Sequence, residues 1–425
     1  MIAVTNIQDV PSRSSSLNGT KCPIDHTQFS QRRMPYQADK SRLPVEQGAD
    51  GVWHVRDYAI AKKIMRSKYT RQAGFGAELI RGLPDAFMKN EPVLYQDGDA
   101  HKQQRREIAR FFTPKATSSN YRRLIERYAH AMLAELYTKG RIELSDLTMT
   151  LAVQVAANVV GLTNSLLPGM AERIDSFIQD TDIEEMQTAS LRDPRALIKH
   201  IRNQVQIGKF FYLDVKPAIR ARKRKPKEDI ITHLIAQGYS DAEIMVECIT
   251  YGTAGMVTTR EFIVFATWHF LENPALREQY LAAEEAERYQ ILEEILRVEP
   301  VVSHLYRRTT EPIQVTDEIT IPTDALVDLH IFAINSDETV VGDEPDAVCP
   351  MRDLPRGVQP PVMSFGDGRH RCPGAYLAIQ ETDIFLHKLL AIPHLKLVSE
   401  PKIGFKKIIK GYETRNFIIA VDEPL

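Results

Sequence analysis

The ten residues Phe365–Gly374, FGDGRHRCPG, place one cysteine among three basic side chains and precede it with two glycines. Glycine tolerates the tight bends that would present the Cys372 sulfur to a ligand. From Ala375 to Leu389, apolar side chains follow helical spacing, which predicts that Cys372 lies just before the N-terminus of a helix. Free backbone N–H groups and the helix dipole at that position favour a thiolate.

Three interpretations of Cys372 follow from these residues alone. It is a packed cysteine in a basic turn, a nucleophile that needs a nearby general base, or an axial thiolate ligand of haem iron. The rest of the chain has to distinguish them.

The bulk composition excludes several classes of protein. The chain has 425 residues and a net charge of -2, with 54 basic against 56 acidic side chains, so no overall positive charge points to nucleic acid. No apolar run is long enough for a signal peptide or a membrane span. Four widely spaced cysteines argue against a disulfide framework and for a cytoplasmic location. They are Cys22, Cys248, Cys349 and Cys372.

Helical patterns dominate the chain, and we predict a mainly α fold with a small β subregion. Residues 1–45 are polar and predict a loose N-terminal arm, while residues 46–425 show no linker and predict one large domain. The helical patterns cover 58–66, 101–112, 118–138, 145–162, 195–224, 241–271, 275–283, 287–298 and 375–391. Apart from a short strand after Trp53, the strand-like segments lie late in the chain, at 313–315, 319–321, 326–329 and 417–421.

The longest predicted helix, 241–271, crosses the whole protein. Ser240 and Glu243 form a capping-box pattern at its start. Gly252 and Gly255 weaken a helix by up to ~1 kcal/mol each, so their presence indicates close approach of another group. That group is either a neighbouring helix or a ligand, and this stretch alone does not choose between them.

The cysteine stretch resembles the haem-binding loop of the cytochrome P450 monooxygenases, F-G-x-G-x-H/R-x-C-x-G, at every diagnostic position. Four other segments agree with that family, and the similarity spans roughly residues 50–421. They are the E-x-x-R pair Glu294/Arg297, His101 with Arg105, Ala254-Gly255 with Thr258, and Arg307 in Tyr306-Arg-Arg-Thr309.

The resemblance implies a single P450-type domain that binds haem b between the central helix and the cysteine loop. Cys372 would be the axial iron ligand and Thr258 the catalytic residue that helps to deliver protons to dioxygen. The remaining implied cofactor-binding residues are His101, Arg105, Ala254, Gly255, Arg307, Phe365, Gly366, His370 and Gly374. The propionates would accept hydrogen bonds from the basic members of this set.

The implied reaction inserts one oxygen atom from O2 into a modest-sized apolar substrate. Electrons would come from a separate ferredoxin or flavodoxin, and we expect a cytoplasmic monomer without a membrane anchor or nucleic-acid partner. A basic proximal face for the electron donor would include Lys102, Arg106, Arg352, Arg356, Arg369 and Arg371. Val301 and Val302 suit an apolar ligand, and Ser303 or His304 are candidates to orient a polar group. A peroxide-driven or oxidative-coupling haem enzyme, a haem-binding sensor without turnover, and a non-haem cysteine hydrolase are the alternatives.

Two departures from the family pattern stand out. Val257 occupies the position before Thr258, where the family usually carries an acid, so a normal proton supply is in doubt. Thr259, Arg260 and Glu261 are candidates to substitute for that acid. In addition, the segment Asp343–Val348 replaces the family's arginine-containing P-x-R-F element before the haem loop.

Overall fold

The computed structural model describes residues 43–77, 81, 88–180, 194–406 and 411–421. The predicted N-terminal arm lies almost entirely outside the described residues. Among the residues described, Cys248, Cys349 and Cys372 are free thiols. None of the helices in this part of the chain is both long enough and apolar enough to traverse a bilayer.

The fold is mainly helical, as predicted, and most helices coincide with the hydrophobic patterns, although the helices at 170–180 and 230–236 were not predicted. The helices are α1 (Tyr58–Arg66), α2 (Gly98–Ala109), α3 (Arg122–Lys139), α4 (Leu144–Val160), α5 (Met170–Asp180), α6 (Pro194–Phe210), α7 (Lys216–Arg224), α8 (Ile230–Ala236), α9 (Asp241–Gly252), α10 (Thr258–Glu272), α11 (Pro274–Ala282), α12 (Glu285–Val298) and α13 (Ala375–Leu390). Shorter helical pieces are Pro114–Ala116, Ile331–Asn335 and Glu338–Val341.

The predicted central helix is two helices, α9 and α10, joined without a loop by the π-helical turn Thr253–Val257. Its N-terminus is the predicted capping box, in which Ser240 and Glu243 bond each other's backbone N–H groups. Trp268 and Phe265 of α10 are buried where this helix packs against α4 and α13. The central helix is therefore the axis of the hydrophobic core.

The strands form four small sheets. They are β1 (Val45–Gln47), β2 (Trp53–Val55), β3 (Thr70–Ala73), β4 (Arg141–Glu143), β5 (His304–Thr309), β6 (Ile313–Gln314), β7 (Thr320–Ile321), β8 (Leu326–His330), β9 (Lys396–Ser399), β10 (Lys402–Lys406), β11 (Gly411–Arg415) and β12 (Ile418–Ala420). The largest sheet has the order β1-β2-β8-β5-β3. Most of the described strands, β5 to β12, lie late in the chain, as predicted, but three strands of this sheet come from residues 45–73, and of these only β2 was predicted. β2 pairs with β8 and β3 with β5, in each case more than 200 residues along the chain, whereas β1 pairs with the neighbouring β2.

A buried ion pair connects α12 to the segment before the cysteine loop. Both side chains are almost inaccessible, and Arg297 donates from Nε and Nη2 to the two carboxylate oxygens of Glu294, each at 2.8 Å. The remaining Arg297 N–H groups donate to the carbonyl oxygens of Asn335, Pro345 and Ala347. This bidentate geometry offsets part of the desolvation cost of a buried charge.

Arg352 is a third member of this cluster and corrects two expectations. Its Nε donates to Glu294 Oε1 at 3.0 Å, and its side chain is only 8% exposed. It therefore does not belong to a surface that meets an electron donor. The arginine that was missing from Asp343–Val348 is present four residues later, within Pro350-Met-Arg352.

The same cluster reaches the start of the cysteine loop through Asn335. Its amide donates to the Arg297 carbonyl at 3.0 Å and to Ser364 Oγ at 2.8 Å, and its Oδ1 accepts from Met363 N at 2.9 Å. Ser364 Oγ donates in turn to the Leu296 carbonyl. The loop is consequently anchored to α12 immediately before Phe365.

A buried carboxyl on α13 makes stability depend on pH. Burial raises the pKa of Glu381 to about 8, from an ordinary 4.5. Between these values the unfolded chain releases a proton that the folded chain keeps, so the free energy of unfolding falls as pH rises. We expect Glu381→Gln to stabilise the protein by roughly 3 kcal/mol near pH 8.5 and by much less near pH 5, measured by urea unfolding.

The control is Glu278→Gln, on the exposed side of α11, which should change stability little at either pH. An equal effect of Glu381→Gln at both pH values would show that the carboxyl is not held protonated.

Candidate active site

The cysteine loop is bent by its two glycines, as predicted. Gly366 and Gly368 have φ values of +67° and +66°, in the left-handed region that favours glycine. A Cβ on Gly368 would also lie 2.5 Å from the Met65 carbonyl oxygen, so no side chain fits there. The loop closes where Cys372 N donates to the Phe365 carbonyl at 2.8 Å, just before α13.

The Cys372 side chain is accessible from one side, and protein atoms surround the rest. Burial raises the pKa of its thiol, although the backbone N–H of Gly374 and the nearby Arg105 and Arg371 act in the opposite direction. The backbone N–H and the basic neighbours therefore act in the predicted direction, but burial outweighs them. A bound cation would supply the missing stabilisation, because a coordinating thiol loses its proton.

The π-helical turn of the central helix exposes a short stretch of backbone. Ala254 is exposed, while Met256 and Val257 beside it are fully buried. The Thr258 hydroxyl donates to the Ala254 carbonyl at 2.6 Å. π-helical turns often mark functional sites, because they widen one helical turn.

Gly255 packs against a neighbouring helix. A Cβ built there would have Ala156 of α4, at 3.9 Å, as its nearest neighbour outside its own turn. That is an ordinary van der Waals distance, so packing against α4 does not by itself require a glycine here.

A basic cluster lies between α2, β5 and the cysteine loop. The rings of His101 and His370 stack with centroids 4.2 Å apart. Arg307 is buried and donates to Gln72 Oε1 at 2.6 Å. Arg105 donates to the Arg371 carbonyl and lies within electrostatic range of both Cys372 and Tyr251 of α9. All four predicted basic residues are therefore brought to one region, beside the cysteine and the central helix.

Asp97 also belongs to this region, and the sequence interpretation missed it. Its carboxylate accepts from His370 Nε2 at 3.1 Å, from Gln72 N at 3.2 Å and from Arg81 Nη2 at 3.4 Å. Burial works against ionisation, but the hydrogen bond and charge of His370 hold the pKa of Asp97 below its ordinary value. The available signal was an acid followed by glycine at the start of the His101/Arg105 helix.

Comparison with known proteins identifies the family. The Cytochrome P450 family model matches residues 289–405. The biotin biosynthesis cytochrome P450 of Bacillus subtilis is 29% identical over 336 residues, which are 76% of this chain and 80% of that protein. The erythromycin C-12 hydroxylase of Saccharopolyspora erythraea is 26% identical, over 83% of this chain and 84% of that protein. This chain belongs to the cytochrome P450 family.

A solved P450 structure shares its fold. P450BioI, crystallised with an acyl carrier protein ligated to hexadec-9Z-enoic acid, aligns with 92% of this chain and 98% of its own at a TM-score of 0.72 and 23% identity. The predicted mainly α, single P450-type domain is confirmed. The chain is accordingly a P450 monooxygenase with a haem-iron cofactor.

The residues of this P450 fit a dianionic cofactor. Neither Arg105 nor Arg307 forms an ion pair with a carboxylate in the described part of the chain, and His101 Nδ1 is buried without a hydrogen-bond partner there. Burial lowers the pKa of Arg307 to about 10 and that of His101 to about 3. Buried donors with so little counter-charge suit the two haem propionates, to which a neutral His101 would offer an N–H and not a charge.

Val257, which occupies the position where the family usually carries an acid, lies in the hydrophobic core. Val257 is fully buried, and the charged residues one turn later are engaged in ion pairs. Arg260 Nη1 bonds Asp175 Oδ1 at 3.0 Å, and Glu261 Oε1 accepts from Arg415 Nη1 at 2.9 Å. In this P450 the candidates to replace the acid therefore tie α10 to α5 and β11, and they are not free to carry protons to Thr258.

Proposed function

We propose that Cys372 is the axial ligand of haem b and that the enzyme inserts one oxygen atom into a modest-sized apolar substrate, with electrons from a separate ferredoxin or flavodoxin. One observation supports this most strongly. Cys372 lies in the same region as the partly buried Arg105 and the buried Arg307, neither of which forms an ion pair with a carboxylate in the described residues, and as the unpartnered Nδ1 of His101. A cysteine hydrolase or a packed structural cysteine has no use for such a set.

The roles of the surrounding residues follow from their places. His101, Arg105, Arg307 and His370 would hold the propionates through N–H donors. Phe365, Gly366 and Gly374 shape the loop that presents the sulfur, while Ala254 and Gly255 form the widened turn of the central helix. When bound, haem supplies the oxygen chemistry, which its thiolate ligand favours.

Thr258 is the proposed catalytic residue. Since its hydroxyl proton is donated to the Ala254 carbonyl, the Thr258 oxygen is available to accept a hydrogen bond and so to orient a proton donor. Oxygenation with O2 consumes two electrons and two protons and forms one water. With Val257 in the core, those protons have to come from water or from a polar group of the substrate.

This requirement favours a second candidate reaction, oxygenation supported by hydrogen peroxide. Peroxide brings both protons and both electrons, so substrate and peroxide yield oxygenated product and water without a relay through the protein. The buried position of Val257 and the ion pairs of Arg260 and Glu261 support this route.

The proposal of an apolar substrate rests on the segment that follows Arg297. Val301 is buried and apolar, and Val302 beside it is partly accessible. Ser303 is only 7% exposed, and its carbonyl accepts from Ile331 N. The names of the relatives refer to biotin biosynthesis and to erythromycin, two unlike chemistries, so similarity alone selects no substrate.

The proposed electron-donor surface is smaller than the sequence indicated. Arg369 donates to the carbonyls of Ser67 and Thr70 and so supports the cysteine loop from within. Lys102, Arg106 and Arg356 are exposed, and Arg371 is partly exposed. These residues offer the positive charge that would attract an acidic partner.

The axial assignment predicts a spectrum. The reduced wild-type enzyme with carbon monoxide should show the red-shifted Soret band of thiolate-ligated haem, and Cys372→Ala should lose it. Cys349→Ala removes another thiol and should keep the band. Since Cys372→Ala can also lose the cofactor, Cys372→His serves as a haem-retaining variant with an imidazole-type spectrum. A thiolate band in either Cys372 variant would refute the assignment.

The electron-donor surface predicts a salt-dependent rate. With an acidic [2Fe–2S] ferredoxin in stopped flow at low ionic strength, Arg106→Glu should slow reduction at least about threefold and flatten its dependence on salt. Arg141→Glu, on β4, makes the same charge change elsewhere and should have little effect. Equal rates for wild type and Arg106→Glu would remove this surface from the proposal.

The proton role predicts uncoupling. We first select compounds that displace the iron-bound water from an apolar and a charged panel. With a selected compound, Thr258→Ala should lower product per reducing equivalent about tenfold, while peroxide-supported product falls much less. Thr259→Ala, a buried neighbour, should behave as wild type. Full coupling in Thr258→Ala would refute the catalytic role, and selection of charged compounds only would refute the substrate class.

A further inference from the structure

Three histidines and one aspartate gather on one face of the five-stranded sheet. In the register of the sheet, His54 of β2 lies beside Asp328 of β8, and His304 of β5 lies beside His330 of β8. Because side chains alternate between the faces of a strand, Asp328 and His330 share a face, and their neighbours share it with them. The sequence positions span 277 residues, so no local motif announces this cluster.

The opposite face of the same strand belongs to the haem site. Along β5, Leu305 and Arg307 point away from His304. Leu305 lies 3.6 Å from where a Cβ on Gly366 of the cysteine loop would be, and Arg307 is part of the basic cluster. The histidine cluster is therefore separate from the haem-binding residues.

Three side chains of the cluster direct ligand atoms toward one point. His54 Nδ1 lies 2.9 Å from His330 Nε2 and 3.7 Å from Asp328 Oδ2, and His330 Nε2 lies 3.6 Å from Asp328 Oδ2. A triangle with these sides has a circumradius of about 2.0 Å, close to the Zn–N and Zn–O bond lengths of about 2.0–2.2 Å. One ion can therefore reach all three atoms with shifts of a few tenths of an ångström.

The surroundings also suit a metal ion. His304 Nδ1 lies 2.9 Å from Asp328 Oδ1 and 3.1 Å from Asp328 Oδ2, so it holds the carboxylate in place mainly through the oxygen that the ion would not use. On the other side, Asp50 Oδ1 lies 3.8 Å from His54 Nε2. Carboxylates and hydrogen-bonded side chains behind the ligands fix the orientation of the imidazole and raise its basicity. The ligand side chains are 8–22% exposed, so an ion and a water ligand can enter from solvent.

We propose that His54, Asp328 and His330 bind a divalent transition metal ion, with zinc as the best match, and that His304 positions Asp328. Two imidazoles and one carboxylate leave a fourth, tetrahedral position for water. Bound there, the ion connects β2 directly to β8 and so joins the N-terminal part of the sheet to its C-terminal part. The function of the site is structural stabilisation, independent of the haem.

The test uses untagged, haem-containing, full-length protein stripped with chelator and titrated with Zn²⁺ by calorimetry. We expect one zinc per chain with a Kd of about 10 µM or below, and a rise in the thermal midpoint because the ion binds the folded state. His54→Gln and His330→Gln should each weaken binding more than about tenfold, and His304→Gln by less. His130→Gln, an exposed histidine on α3, is the matched control and should bind as wild type.

Two further measurements keep the result interpretable. An unchanged Soret spectrum in each variant shows that the fold and the haem site persist. Zinc-edge X-ray absorption of the wild-type complex should show imidazole nitrogen in the first shell, a signal that haem iron does not obscure. The proposal would be overturned if the wild-type protein failed to bind zinc. It would also be overturned if His54→Gln and His330→Gln bound zinc as tightly as the wild type, and the cluster would then be a hydrogen-bond network only.

Discussion

The carboxylate of Glu294 is the constraint on which the rest of the haem side depends. A buried charge is costly unless every lone pair finds a donor, and Arg297, Arg352 and the Cys349 N–H together supply those donors. Satisfying them requires α12, the segment 345–352 and Asn335 to meet in one arrangement. Asn335 in turn forms hydrogen bonds with Met363 and Ser364, the residues just before Phe365. The cysteine loop is thus positioned by an interaction that takes no part in the chemistry.

The basic cluster beside Cys372 differs from the Glu294 cluster in its charge balance. Around Glu294 the charges are matched inside the protein, whereas Arg105 and Arg307 form no ion pair with a carboxylate in the described residues, and the nearby Asp97 is already paired with His370. Burying positive charge without a counter-charge costs stability in the protein alone, and an anionic cofactor would offset that cost on binding. The raised pKa of the Cys372 thiol has the same meaning, because a cation at the sulfur is what makes the thiolate favourable.

Helices and sheets differ in how far the sequence could predict them. The 58–66 pattern matches α1 residue for residue, and the capping box at Ser240 begins α9 as expected, since side-chain periodicity and capping act within a few residues. The split of 241–271 by a π-helical turn was not visible, because the inserted residue at 253–257 preserves the apolar pattern on either side. Strands β1 and β3 were not predicted because three or four residues carry too little periodicity, and the partner of β3 also lies far along the chain.

At the site, the sequence by itself predicted the position of Cys372 just before a helix, the bend at Gly366 and Gly368, and the basic residues that gather nearby. These depend on residue type and short spacing, which a single chain displays. Only the tertiary structure decided which charges are matched. In the folded chain, Arg352 bonds Glu294, and Asp97 pairs with His370. Val257 is buried in the core, and His54 lies beside Asp328 and His330. Charge balance in a protein interior depends on contacts between distant segments, and local sequence carries no record of those contacts.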